Sequence, residues 1–336
     1  MHAKTSTAAL LLRTALRFLP ALLVLSLVQA REPDGADQVF AAAKRDNSAN
    51  RAGGGFPGGG GGWVTAPMEA EGVQFRTFSS RAVGEEVSYH VFLPPAYEEQ
   101  PDRRFPVIYW MHGLGPGING IPFISRFYGD AMASGEMPPA IIVFANGLPR
   151  GMWCDSKDGS TPVESMLIRD LIPHIDRTYR TIASREGRML EGFSMGGYGA
   201  ARLGLKYPEM FRGFSMLGAG PLQLDFLEDR PGLQPLGMRQ QLLDDVYGGD
   251  MDYFRAQSPW MQAKLSRDKL PKDFKIRMVI GAEDSSRDNN RAFSEHLLSL
   301  GIKHEYIEVP GVQHEPIGTL SGSRNAAFYR AALPSP

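Results

Sequence analysis

One cysteine, Cys154, occurs in 336 residues, so no disulfide can form within the chain and its stability must come from packing. A lone thiol of this kind is most simply a small hydrophobe, and no chemistry is assigned to it. Excess charge is lacking as well: 36 Lys and Arg stand against 37 Asp and Glu, a formal net charge of −1. Nothing in that balance attracts nucleic acid or an anionic membrane, and neither is expected as a partner. No His or Cys cluster has ligand spacing, so no metal site and no cofactor are expected. Asp46-Asn47-Ser48-Ala49-Asn50 opens like a calcium loop but has no Gly at the sixth position and no Glu at the twelfth, and it is rejected.

Long apolar runs are also absent. Lys4, Arg13 and Arg17 precede an apolar stretch from Leu19 to Val28, and Val28-Gln29-Ala30 ends in the small residue that signal peptidase needs. A membrane span takes about 20 apolar residues, and Arg17 interrupts any longer run. Residues 1–30 are therefore expected to be a cleaved secretory signal, leaving a secreted or periplasmic protein without a stable membrane anchor. From Glu32 to Pro67 apolar residues are few and Gly58 to Gly62 is unbroken, so residues 31–67 are expected to be a flexible spacer before a domain at 68–336.

What the chain does contain, 43% hydrophobic residues, is ample for a core. Val73 to Phe78 and Val87 to Leu93 are strand-like, and in the second Val87, Tyr89, Val91 and Leu93 alternate with Ser88, His90 and Phe92, which predicts a mostly half-exposed hairpin. Continuous apolar runs follow at Val107 to Met111 and Ile141 to Phe144, the pattern of parallel strands covered on both faces. Further strands are predicted at Arg188 to Gly192, Phe211 to Leu217, Ile276 to Ile280 and Glu305 to Val309. Thr161-Pro162-Val163-Glu164 predicts a capping box opening a helix, and another helix runs from Asn290 to Leu300 and stops at Gly301. Pro221 to Leu270 breaks the alternation, with Leu242 to Phe254 helical inside it. The fold class expected is α/β: a doubly wound, mostly parallel sheet flanked by helices, with a small lid insertion.

The chain is organised around Glu191-Gly192-Phe193-Ser194-Met195-Gly196-Gly197, a Gly-x-Ser-x-Gly between a predicted strand and a predicted helix. That context is what a nucleophile elbow requires. A Ser hydroxyl is a weak nucleophile until an imidazole takes its proton, and the imidazole needs an acid to fix its tautomer. Among seven histidines only His314 lies in a loop just after the last strand. The acid should follow the preceding strand; Asp284 is chosen there, with Glu283 and Asp288 as fallbacks. The oxyanion needs two N–H groups, and Met195, after the nucleophile, and Leu114, in His112-Gly113-Leu114-Gly115, are the candidates. His112 then shapes its loop rather than acting as a base. Trp153, in the loop after the fourth strand, is placed to stack on an aromatic acid or a sugar ring; an ordinary loop aromatic is the other reading, for it and for Trp260.

These stretches, with Phe92-Leu93-Pro94-Pro95-Ala96-Tyr97, Phe105-Pro106 and Lys206-Tyr207-Pro208, resemble the esterase family of α/β hydrolases that takes in feruloyl esterases, S-formylglutathione hydrolases, enterobactin esterases and mycolyltransferases. The resemblance runs over most of the chain from Val73 onward. It implies the α/β-hydrolase fold, a triad at Ser194, Asp284 and His314, and oxyanion donors at Leu114 and Met195. One departure is Glu315-Pro316-Ile317 after the His, where relatives acting on feruloylated polysaccharide often carry an aromatic residue. The expected function is a serine carboxylic ester hydrolase acting through an acyl-enzyme on small-molecule or polysaccharide-linked esters, of carbohydrate or feruloyl type. An acyltransferase with a sugar acceptor, a thioesterase and a non-catalytic binding protein are the alternatives.

Overall fold

The computed structural model describes residues 62–228, 234–323 and 325–334. The expected signal and the spacer up to residue 61 lie outside the described residues. Eight strands form one sheet in the order β1-β2-β4-β3-β5-β6-β7-β8, namely β1 (Val73–Ser79), β2 (Glu86–Phe92), β3 (Val107–Met111), β4 (Ile141–Ala145), β5 (Arg188–Phe193), β6 (Gly213–Leu217), β7 (Lys275–Gly281) and β8 (Glu305–Val309). β1–β2 and β2–β4 pair antiparallel and every other neighbour pairs parallel.

The apolar runs of β3 and β4 serve two cores at once. Val107, Tyr109 and Met111 face one hydrophobic cluster and Ile108 and Trp110 the other, because successive side chains alternate across a sheet. The first cluster is covered by α2 (Ile172–Thr178), α3 (Met195–Lys206) and α7 (Arg287–Ser299). The second is covered by α1 (Ile121–Ala133), α8 (Pro316–Ser321) and α9 (Asn325–Ala332). α7 ends as predicted in its main feature: Gly301 takes φ 75°, and Ile302 N–H donates back to Leu297 O at 2.9 Å.

Four expectations need correction. β2 is not half exposed; Val87 to Phe92 are all buried, since β4 flanks it and the chain before β1 lies over it. There Thr65 N–H donates to Ser88 Oγ, and Met68 N–H to His90 Nε2, both at 2.9 Å, so the polar alternation is satisfied internally. Residues 62–67 therefore belong to the domain rather than to the spacer; Asn146 Nδ2 donates to the carbonyls of Gly62 and Trp63. The predicted capping box does not form. Helix begins at Val163 after an uncapped Pro162, passes through wide π turns at Met166–Leu171, and becomes α2. Glu164 is turned inward instead, its carboxylate 2.6 Å from both Arg202 Nη1 and Lys206 Nζ of α3.

The single helix predicted over Leu242 to Phe254 is two, α4 (Leu236–Tyr247) and α5 (Met251–Gln257), followed by α6 (Pro259–Ser266). Gly248 in the left-handed region ends α4, and Asp250 caps α5 by accepting from Asp252 and Tyr253 N–H. These helices, inserted between β6 and β7, put Arg239 and Leu242 of α4 beside the carboxyl edge of the sheet, where the candidate site lies.

Candidate active site

Ser194 joins β5 to α3 with φ 58° and ψ −120°, a conformation costly for a residue with a Cβ. Its flanking glycines make the turn possible. A Cβ on Gly196 would lie 1.8 Å from Met111 O, and one on Gly192 would lie 2.5 Å from the Gly196 backbone. Strand and helix thus approach closer than any side chain permits. Hydrogen bonds to Leu217 O from Ser194 N–H (2.9 Å) and to Ser194 O from Gly220 N–H (3.2 Å) tie the turn to β6 and the loop after it.

The loop after β8 brings His314 Nε2 to 2.9 Å from Ser194 Oγ, and the turn after β7 brings Asp284 Oδ2 to 2.7 Å from His314 Nδ1. With a carboxylate facing Nδ1, that nitrogen carries the hydrogen and Nε2 is left to accept from the Ser hydroxyl. Asp284 is buried and its other oxygen accepts from Ser286 N–H at 2.7 Å, so the acid cannot swing away. The Phe193 ring packs against the imidazole at 4.9 Å. Of the fallback acids, Glu283 is exposed and Asp288 is engaged with Arg287.

Leu114 and Met195 border the same cleft as Ser194 and His314, Met195 as the first residue of α3, where N–H groups are unpaired and the helix dipole is positive. Gly113 lets that loop close in; a Cβ there would stand 3.2 Å from Ser194 Cβ. The cleft has a volume of about 170 Å³. Its wall includes Met152, Phe226, Arg239 and Leu242, none of which sequence reasoning singled out. No signal short of the folded insertion would have found Phe226, Arg239 or Leu242, since α4 has no pronounced pattern to orient it.

His112 lies beneath the loop: its Nδ1 faces Gly113 O at 2.7 Å, and its Nε2 accepts from Gly147 N–H at 3.1 Å. It links the loops after β3 and β4, as expected of a residue that shapes the loop. Burial pushes its pKa down from 6.5 to about 4. The folded value lies below the unfolded one, so between them the unfolded chain binds a proton that the folded chain refuses. Stability is complete above about pH 6.5, falls as pH drops, and levels off below about pH 4. Urea unfolding at pH 7 and pH 4.5 is expected to show a loss on the order of 2 kcal/mol attributable to this residue. His112→Gln should shrink that difference; an unchanged difference would contradict the assignment.

Trp153 corrects the sequence reading. It is fully buried, its Nε1 donates to His112 O at 3.1 Å, and its ring meets the His112 imidazole edge-on. Gly147 and Gly199 leave the room it fills, a Cβ at either falling 2.5–2.6 Å from its atoms. A side chain so enclosed cannot stack on substrate; it holds the loop that carries Met152. Trp260 likewise serves the insertion, donating to Leu222 O at 2.8 Å.

Sheet order, crossovers and the strand-turn-helix placement of Ser194 together define the α/β-hydrolase fold. Residues 80–317 match the family described as "Putative esterase", and the chain belongs to that family. It is 31% identical over 165 residues to an endo-1,4-beta-xylanase/feruloyl esterase of Xylanibacter ruminicola, a match covering 47% of this chain and 23% of that protein. It is 30% identical over 262 residues to an esterase of Mycobacterium tuberculosis, covering 70% of this chain and 54% of that one. The chain thus matches about half or less of the length of these curated relatives. Among solved structures, a ferulic acid esterase superposes with a TM-score of 0.62 at 19% identity, over 77% of this chain and 97% of that one. An S-formylglutathione hydrolase from Agrobacterium tumefaciens gives 0.61 at 18%, over 80% and 98%. At these identities the structural likeness speaks for the fold alone.

Proposed function

We propose that the protein is a serine carboxylic ester hydrolase working through an acyl-enzyme, with Ser194 as nucleophile, His314 as base and then acid, and Asp284 as the group that orients and stabilises the imidazolium. The observation that carries this reading is the continuous hydrogen-bonded relay from Ser194 Oγ through His314 to Asp284, at 2.9 and 2.7 Å. Attack of Oγ on the ester carbon passes its proton to Nε2, and the resulting oxyanion is held by the N–H groups of Leu114 and Met195. Collapse breaks the ester bond as Nε2 returns the proton to the departing alcohol. Water then repeats the sequence on the acyl-enzyme and frees the acid.

Aromatic acyl groups of the feruloyl kind, or acyl groups on carbohydrate, are the proposed substrates; the feruloyl esterase named among the relatives and the apolar wall formed by Met152, Phe226 and Leu242 support this. Export through the proposed signal at residues 1–30 accords with a polysaccharide-linked ester as substrate. Hydrolysis of p-nitrophenyl acetate and methyl ferulate by the purified protein tests the reading. Cleavage of either ester that disappears in folded Ser194→Ala is expected; equal inertness of both proteins, with and without an added sugar acceptor, would sink it.

A further inference from the structure

We propose that the cleft beside Ser194 selects esters carrying a carboxylate on the part of the molecule seated against Arg239. This deepens the ester-hydrolase reading above and rests on it. Arg239 stands in the first turn of α4 and is only 3% exposed, yet it forms part of the wall of the same cleft as Ser194 and His314. Its Nε donates to Gln234 O at 2.8 Å, and its Nη1 donates to Phe226 O at 2.8 Å and to Glu228 O at 2.6 Å. Those bonds consume the Nε hydrogen and both Nη1 hydrogens. Nη2, with two more hydrogens, has no partner among the described residues.

The contrast with the other deeply buried arginines decides what this means. Arg202 faces the carboxylate of Glu164 at 2.6 Å, and Arg277 faces that of Glu191 at 2.9 Å. Among the described residues no carboxylate pairs with Arg239, and its partners there are carbonyls alone. Burying a guanidinium without a counter-charge is costly, and the carbonyls fix its plane rather than neutralise it. The missing charge is supplied if the ligand brings it. Around the guanidinium the cleft offers apolar surface from Met152, Phe226 and Leu242 and amides from Gln223 and Gln234. A ligand with an apolar body and an anionic end suits both, and a charge-assisted hydrogen bond from Nη2 would hold that end.

Arg239 could instead be only a clamp on the carbonyls of Phe226, Glu228 and Gln234, and the test must separate these roles. Two matched pairs of esters are compared, one with the charge on the acyl side (mono-4-nitrophenyl glutarate against 4-nitrophenyl pentanoate) and one with it on the alcohol side (4-acetoxybenzoate against 4-tolyl acetate). In the wild type, kcat/KM for the charged member of at least one pair is expected to exceed its neutral partner by roughly 10-fold or more, the size of a hydrogen bond to a charged group. In Arg239→Gln that ratio should collapse toward the one found in the other pair. A clamp alone would lower the melting temperature and leave both ratios unchanged. If the variant does not fold, competitive inhibition of wild-type pentanoate hydrolysis by glutarate but not by glutaramide supports the proposal. Equal handling of charged and neutral esters in both pairs overturns it while leaving ester hydrolysis intact. Wild-type inertness toward all four esters removes the ester-hydrolase reading itself, and this proposal with it.

Discussion

Ser194→Ala is expected to lower kcat/KM toward any cleaved ester by on the order of 10⁶, with melting temperature unchanged or raised. The size follows from the way the relay works as a unit. Without Oγ nothing attacks the carbon, and the proton acceptor at 2.9 Å has nothing to accept. His314→Ala should cost about as much, and the double variant no more than either alone, because removing one member already disables the rest. Asp284→Asn should leave the geometry standing and cost about 10⁴, since an amide can donate to Nδ1 and so favour the wrong tautomer. A melting temperature no lower than the wild type's is reasonable, because Ala keeps the Cβ and therefore the same backbone strain at φ 58°, and the only contact removed is the solvent-exposed hydrogen bond from Oγ to Nε2. Single-turnover rates with p-nitrophenyl acetate, beside calorimetric scans, check both halves. A Ser194→Ala/His314→Ala double variant whose loss is the sum of the two single losses would contradict a shared relay.

The second large effect concerns stability. Glu191 on β5, Ser215 on β6 and Arg277 on β7 are direct cross-strand neighbours, and both charged side chains are fully buried. Arg277 also reaches Ser215 Oγ, Ser323 O and Asn325 Oδ1 and lies over the Phe328 ring at 4.3 Å, while Tyr128 OH donates to Glu191. β5, β6, β7, α1 and α9 are thereby joined through one polar knot. Arg277→Leu would strand the Glu191 carboxylate in the interior, a loss of about 3–5 kcal/mol. For a domain of this size that corresponds to a fall of roughly 10 °C in melting temperature. Pairing it with Glu191→Leu should return most of the loss, because an apolar pair of similar volume needs no counter-charge. A double variant as unstable as Arg277→Leu alone would show that the cost lies in packing over Phe328 and not in the ion pair.

The parallel strands, the elbow and its partners were legible because each carries a local signal. A strand buried on both faces must be apolar at every position, as Val107 to Met111 are, and an elbow must have glycine at positions 192 and 196, where a Cβ would strike backbone. The order of strands along the chain then leaves His314 as the only histidine after the final strand. Legibility ends where long-range partners decide. Ser88 and His90 look solvent-facing until Thr65 and Met68 are seen to cover them. Glu164 looks like a capping residue until Arg202 and Lys206, one turn apart on another helix, claim it. Trp153 looks available because loops are usually exposed, whereas the space left by Gly147 and Gly199 encloses it. Glu191 and Arg277 read as interruptions of apolar strands; only the register that sets them side by side with Ser215 makes them a pair.

Covalent labelling tests the central claim without requiring the natural ester to be known. The protein is treated with a fluorophosphonate, whose phosphorus is attacked by a serine oxygen only when a neighbouring base removes its proton, and intact mass and peptide maps are recorded. One adduct per chain, located on the peptide holding Ser194, lost in Ser194→Ala and strongly slowed in His314→Ala, is the predicted result. An unlabelled, folded wild type, or an adduct on another residue that persists in Ser194→Ala, would contradict the assignment of Ser194 as the nucleophile.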